Sequence, residues 1–325
     1  MRFAGALVTA ALLLAAPAFT PPSAAEPAAW AAADTIALAG ADGGALEPAG
    51  LASDAFGNLW VSDAARHRLV RFDAAGARLD ETGTLGSENN QFRRPGALAR
   101  WGASAVVVLD RENRRVVAYD AQGRRSDFVV DLAAAELETQ LGRVDGVSLA
   151  ADRGGQLYVA DGDRDRVLVF DFAGSFQRSL GGVGSGAGAF QHLAALAAVP
   201  RGGLVTVEWL AGGKRKGRGG APDSVTPPRA RVQRLEVGGA PLAQWEFACG
   251  ARAELSVAVD DEGRVAVGDG ARGEVRVFDA AGAPLARIPD CGRVAALAFA
   301  PDGALLVAAP GRLLRLAPVV ARAQD

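Results

Sequence analysis

His67, His192, Cys249 and Cys291 are the entire imidazole and thiol supply of this chain of 325 residues. A metal site built from several histidines is therefore out of reach, and His192 as a lone base has no evident nucleophile or orienting partner in sequence. A Gly-x-Ser-x-Gly elbow, a phosphate loop and a Cys-x-x-Cys pair are all missing. What remains is charge. Lys214, Arg215, Lys216 and Arg218 form one short basic run, and Arg94, Arg143, His192 and Arg293 share an equivalent slot in a repeated phrase, with Glu47 and Ala253 in the other two copies. Chemistry of that kind is anion binding, because like charges around a cleft focus field.

The repeated phrase is clearest in DRGGQLYVADGDRDRVLVFDFAGSFQRSLGG, residues 152–182. A Gly-Gly turn leads into alternating residues, a polar turn follows, alternation resumes, and Ala173-Gly174 turn into a last short run. That pattern predicts strands joined by hairpins. Related phrases occupy 57–83, 105–129 and 263–288. Taking the acid that closes the middle strand as the register mark gives Asp63, Asp110, Asp161 and Asp269, with Glu208 and Ala309 where two further marks fall. The marks lie about 40–60 residues apart, the period of a four-stranded blade. Turn chemistry predicts that these acids accept backbone N–H bonds in the turn that follows.

Six such units imply an all-β chain folded as a six-bladed β-propeller. The segment DTIALAG, from Asp34, stands alone before the first unit, while the last unit supplies only three strands. The N-terminal strand is thus expected to close the last blade and hide two open edges. Two stretches depart from the pattern. Residues 131–141, DLAAAELETQL, read as a short helix capped by Asp131. Residues 210–231 replace a tight hairpin with a basic, Gly- and Pro-rich insertion that predicts no regular structure.

Gly57, Asn58, Leu59, Trp60, Val61, Asp63, His67, Arg68, Leu69, Phe72, Asp73 and Gly76, in that order, resemble the repeat of the NHL family. The linking phrases 86–95 and 184–193 resemble that family's approach to the next blade. The resemblance implies a propeller that acts as a binding or assembly module, with ligands on the face where connections enter the innermost strands. His67 falls on the family's repeated His-Arg position, which implies a packing role. Enzymes of related architecture use several histidines with a metal, or hold calcium through Glu, Asn and Asp. Here Glu47, Asp145 and Glu254 supply carboxylates, the inner-strand starts offer no Asn, and neighbouring arginines oppose a cation. No cofactor or metal is expected, and a metal-assisted lyase or lactonase stands as the alternative.

On the inferred ligand face, Arg66, Arg114, Arg164 and Arg272 join the slot residues and the basic run. These charges make either an electropositive mouth or a solvated set balanced by Asp145, Asp163, Asp165 and Glu254. Residues 1–25 read as a secretory signal peptide, 26–33 as a linker, 34–318 as the propeller and 319–325 as a tail. Export to the periplasm or beyond follows, with a protein or an anionic envelope polymer as partner. The net charge of −2 and the leader both argue against nucleic acid. No later stretch is apolar enough to cross a bilayer. In an oxidising compartment Cys249 and Cys291, in corresponding connections of successive units, are expected to form a disulfide.

Overall fold

The computed structural model describes residues 30–215 and 224–318. Six four-stranded antiparallel sheets stand in a ring, each with its first strand innermost. The inner strands are Pro48–Ser53, Pro95–Trp101, Gly146–Ala151, Leu193–Ala198, Leu255–Val259 and Ala296–Phe299. Because strands alternate in direction, first-to-second and third-to-fourth turns share one face of the ring, the turn face. Second-to-third hairpins and the links between blades share the other, the connection face.

The first blade shows why its second and third strands are apolar on both sides. Leu59, Val61, Val70 and Phe72 pack with Ile36, Leu306 and Leu313 of the last blade. Their neighbours Trp60 and Leu69 pack instead with Phe92, Leu98 and Val106 of the second blade. Successive side chains on a strand point to opposite faces, so a sheet held between two others needs apolar residues at every position. Each such side chain contributes about 1.5–3 kcal/mol when fully buried. On the turn face the strands reverse through Asp-led turns. Asp54 Oδ1 accepts the N–H groups of Phe56 (2.9 Å) and Asn58 (3.0 Å), and Gly57 takes the required left-handed conformation at φ 82°.

The register acids are buried more deeply than turn chemistry requires. Asp63 and Asp269 do accept from the following turn, at Arg66 N–H (3.2 Å) and Ala271 N–H (3.1 Å). Four acids also reach back to the link entering their own blade. Asp110 accepts from Arg93 N–H (2.8 Å), Asp161 from Asp145 N–H (3.1 Å), Glu208 from Gln191 N–H (2.7 Å) and Asp269 from Gly250 N–H (2.7 Å). In four blades an arginine of the third strand, its first residue in three of them, completes the site. Arg68 Nε donates to Asp63 (3.2 Å), Arg115 to Asp110 (2.9 Å), Arg166 to Asp161 (2.9 Å) and Arg231 to Glu208 (3.1 Å). Three of these guanidiniums also donate to link carbonyls, such as Gln91, Leu141 and Ala189, so each pair fastens a link to its blade.

The fifth blade reverses this arrangement. Glu274 takes the arginine's place and accepts from Arg276 (2.9 and 3.0 Å) and Arg287 (2.8 Å). Burial alone would raise the Glu274 pKa, but the bonds from Arg287 and Arg276 outweigh it and hold the carboxyl below its usual range. A lowered folded-state pKa gives stability that is present above the unfolded value and lost as pH falls through the folded one. Glu274→Gln is therefore expected to cost about 2 kcal/mol at neutral pH. Urea unfolding of both chains should show the deficit shrinking below the unfolded carboxyl pKa of about 4.3. A deficit that stays constant down to acid pH would refute this account.

Ring closure follows the expected scheme. Trp30–Ala37 pairs antiparallel with Arg312–Pro318, the third strand of the last blade. The strand begins at Trp30, so residues 30–33, expected in the linker, are part of the sheet. The Trp30 ring lies 5.6 Å from the Arg264 guanidinium of the fifth blade and packs beside Leu316, which anchors that extra length. The short helix is Ala135–Leu141, not a helix capped by Asp131. Asp131 ends the outer strand, pairs with Arg115, and spends its carboxylate on Ala133 N–H (2.8 Å).

The basic insertion is more regular than its composition suggests. Leu210 pairs with Arg229, and a second hairpin joins Gly213–Arg215 to Ser224–Thr226. At Gly212 an added Cβ would lie 2.4 Å from the Thr226 carbonyl oxygen, so glycine there permits the approach of the two arms. The expected disulfide is also corrected, since Cys249 and Cys291 are buried free thiols. Cys249 packs between the fourth and fifth blades and Cys291 between the fifth and sixth. Adjacent sheets stand about 10 Å apart, while a disulfide needs Cβ atoms at about 3.5–4.5 Å. Burial pushes the Cys249 thiol up to about 11 and raises that of Cys291, which keeps both in the unreactive form.

Candidate functional site

The slot residues do gather on the connection face, at the entrances to the inner strands. Arg94 and His192 occupy equivalent positions, both left-handed, at φ 52°. The hairpin of the preceding blade places them. His67 Nδ1 accepts Arg94 N–H (3.0 Å), and Asp165, at the same turn position of the third blade, accepts Leu193 N–H (2.8 Å). His67 thus ties the first blade to the second, consistent with a packing role. The exposed His192 ring meets Trp209 edge-on at 5.9 Å.

The charges around this rim alternate in sign. Arg293 lies between Glu254 (3.0 Å) and Glu47 (3.8 Å), Arg94 lies 3.7 Å from Glu112, and Arg111 lies 3.8 Å from Asp145. The hairpin arginines are turned to backbone. Arg66 donates to Ala45 O, Arg114 to Leu132 O and Arg164 to Arg143 O, each in a link between blades, and Arg272 donates to Ala248 O at the end of the fourth blade's outer strand. Arg143 contributes its carbonyl in this way. Lys214 and Arg215 lie on the projecting hairpin, and Lys216 and Arg218 fall outside the described residues.

These carboxylates do not fit a calcium or zinc site. The Arg293 guanidinium stands between Glu47 and Glu254, and Asp145 is paired to another arginine. Among the described residues no three His, Cys, Asp or Glu side chains converge.

The central channel forms a concavity with a volume of about 360 Å³. Its wall is made by the six inner strands and ends on the turn face at Arg100, Asp152, Arg153, Asp260 and Asp261. It includes none of Glu47, Arg94, Arg143, His192 or Arg293. The lining runs from Ala49, Ala194 and Ala295, near the connection-face ends of the inner strands, to the turn-face arginines and aspartates. Sequence reading missed the turn-face mouth because its arginines and aspartates sit in turns that chain reversal already explains.

No protein-family model and no curated protein sequence matches the chain. Solved structures do, at the level of fold. Virginiamycin B lyase from Staphylococcus aureus is 10% identical with a TM-score of 0.59, covering 90% of this chain and 100% of that one. A gluconolactonase from Xanthomonas campestris is 18% identical with a TM-score of 0.58, covering 91% and 99%. The WD40 repeats of RRP9 are 17% identical with a TM-score of 0.57, covering 90% and 99%. Identities this low carry the architecture alone. No helix among the described residues is long and apolar enough to cross a membrane.

Proposed function

We propose that the chain is an exported propeller of the NHL-repeat kind that works as a binding or assembly module, engaging a protein or an anionic envelope polymer through its connection face. The projecting hairpin of the fourth blade carries this reading. It extends the second-to-third connection by a paired extra layer, bears the run Lys214, Arg215, Lys216 and Arg218, and leaves Val225 65% exposed. A basic element beside an apolar side chain suits a partner with acidic and apolar surface. The leader at 1–25 supports export, and the ion-paired rim supports recognition over catalysis.

The test joins Leu210 to Arg229 by a two-residue turn, a replacement their existing pairing allows. Crosslinking and pull-down from the envelope fraction are expected to yield specific partners with the intact chain and none with the shortened one. Equal capture by both chains, or none by either, would overturn the reading. The alternative, a metal-assisted lyase or lactonase, has neighbours of like fold but is opposed by the arginines set against the rim carboxylates. Stoichiometric Ca²⁺ or Zn²⁺ in the purified protein, found by elemental analysis, would favour it.

A further inference from the structure

The channel is lined mainly by small apolar side chains, with Ser53, Ser148 and Ser256 among them, and carries charges of both signs at its turn-face mouth. On the inner strands Ala97, Ala99, Ala194, Ala197, Val257 and Val259 remain partly exposed and line it. At the mouth both arginines lie on one side and two of the three aspartates on the other, with Asp152 beside Arg153. Arg100 and Arg153 belong to the second and third blades, and Asp260 and Asp261 to the fifth.

Some of these charges are committed to their own turns. Asp152 accepts from Gln156 N–H (3.0 Å) and the Tyr158 hydroxyl (3.0 Å), and Asp260 accepts from Arg264 (2.5 Å). Arg100 is exposed, with no carboxylate at ion-pairing distance among the described residues. Arg153 Nη2 donates to Asp261 Oδ1 at 2.7 Å, joining the third and fifth blades past the turn of the fourth. Both partners are largely exposed, so water screens this pair and a ligand displaces it at little cost.

We infer that this mouth binds a zwitterionic solute of the α-amino-acid class with an apolar side chain. Its carboxylate meets Arg100 and Arg153, its ammonium meets Asp261, and its side chain enters the Ala- and Val-lined channel. An anion without an ammonium group would face Asp261 unpaired, and a cation without a carboxylate would face two guanidiniums. A zwitterion satisfies both poles, and the present ion pair shows that they lie within reach of one small molecule. The chamber volume falls in the range of small-molecule sites. This site is independent of the connection-face reading, which can fail while this one stands.

Titration calorimetry of the full chain with L-leucine and L-phenylalanine tests the inference. Saturable one-site binding is expected for both. N-acetyl-L-leucine, lacking the ammonium, and L-leucinamide, lacking the carboxylate, should bind about tenfold more weakly or worse. Arg153→Met and Asp261→Asn, both at exposed positions, should weaken L-leucine by a similar factor without moving the melting temperature. Ala197→Trp should abolish binding by filling the channel, with Ala99→Leu as a milder block if that chain melts early. No saturable binding of either amino acid, equal binding of the two derivatives, or indifference to Arg153→Met and Asp261→Asn would each overturn the proposal.

Discussion

A chain shortened to begin at Leu38 is expected to lose at least about 4 kcal/mol of stability, and its melting temperature about 10 °C. The closing strand carries seven paired residues against Arg312–Pro318 and buries Ile36 to 5% exposure in the core shared by the last and first blades. Burial of an isoleucine contributes about 1.5–3 kcal/mol, and each ladder bond adds about 0.5–1.5 kcal/mol net. Part of that gain is offset by the entropy of ordering the strand, which keeps the expected loss modest. Removal also uncovers a full-length edge at Arg312–Pro318, so the shortened chain should self-associate. Calorimetry with analytical ultracentrifugation checks both effects. A peptide spanning Trp30–Ala37, added in trans, should recover part of the stability by mass action. An unchanged melting temperature in a monomeric shortened chain would mean that the ring does not depend on this closure.

That closure was legible because a solitary alternating segment and a three-stranded last unit complement each other, and sheet edges must be covered. Its starting point was not, since the contacts of Trp30 with Arg264 and Leu316 that carry pairing past Asp34 join distant parts of the chain. The slot residues Arg94, His192 and Arg293 were correctly placed on one face by counting from the register acids. A balance of charge through Asp145 and Glu254 was one of the two readings the sequence offered, but which acid meets which base, Glu112 at Arg94 and Glu254 at Arg293, emerges only in three dimensions. The acid–arginine fastenings left a visible trace in the chain. Asp63 and Arg68, Asp110 and Arg115, and Asp161 and Arg166 share one spacing across a polar turn. The fourth pair was hidden, because the inserted hairpin separates Glu208 from Arg231 by 23 positions.

Arg231→Met is expected to cost about 3–5 kcal/mol, because it strands a fully buried carboxylate. Glu208 is 0% exposed and Arg231 2% exposed, and Gln233 Nε2 also donates to Glu208 at 2.7 Å. Besides its two contacts with Glu208, Arg231 donates to the carbonyls of Ser185 (2.7 Å) and Ala189 (3.0 Å), holding the Gly-rich link that enters the fourth blade. The single change therefore leaves Glu208 without its counter-charge, held only by the N–H groups of Gln233 and Gln191, and takes the donor from the Ser185 carbonyl, while Ala189 keeps that of Gln233. Taking two charges out of water costs nearly as much as their attraction returns, so removing the pair together should be far milder. Glu208→Leu with Arg231→Met is expected to lie closer to the parent than Arg231→Met alone, with the residual loss coming from the freed link. Urea unfolding of the parent, both singles and the double yields the coupling energy directly. A loss below about 1 kcal/mol for Arg231→Met would place the pair among solvent-screened ion pairs. An additive double would show that the link carbonyls, and not the buried acid, are what Arg231 serves. The same logic extends to Asp110 and Arg115, where burial raises the carboxyl pKa in spite of bonds from Asn113, Arg93 N–H and Arg115. Desolvation dominates there, so these pairs act first to fix where each link docks, and the stability of the ring rests on the apolar faces between blades.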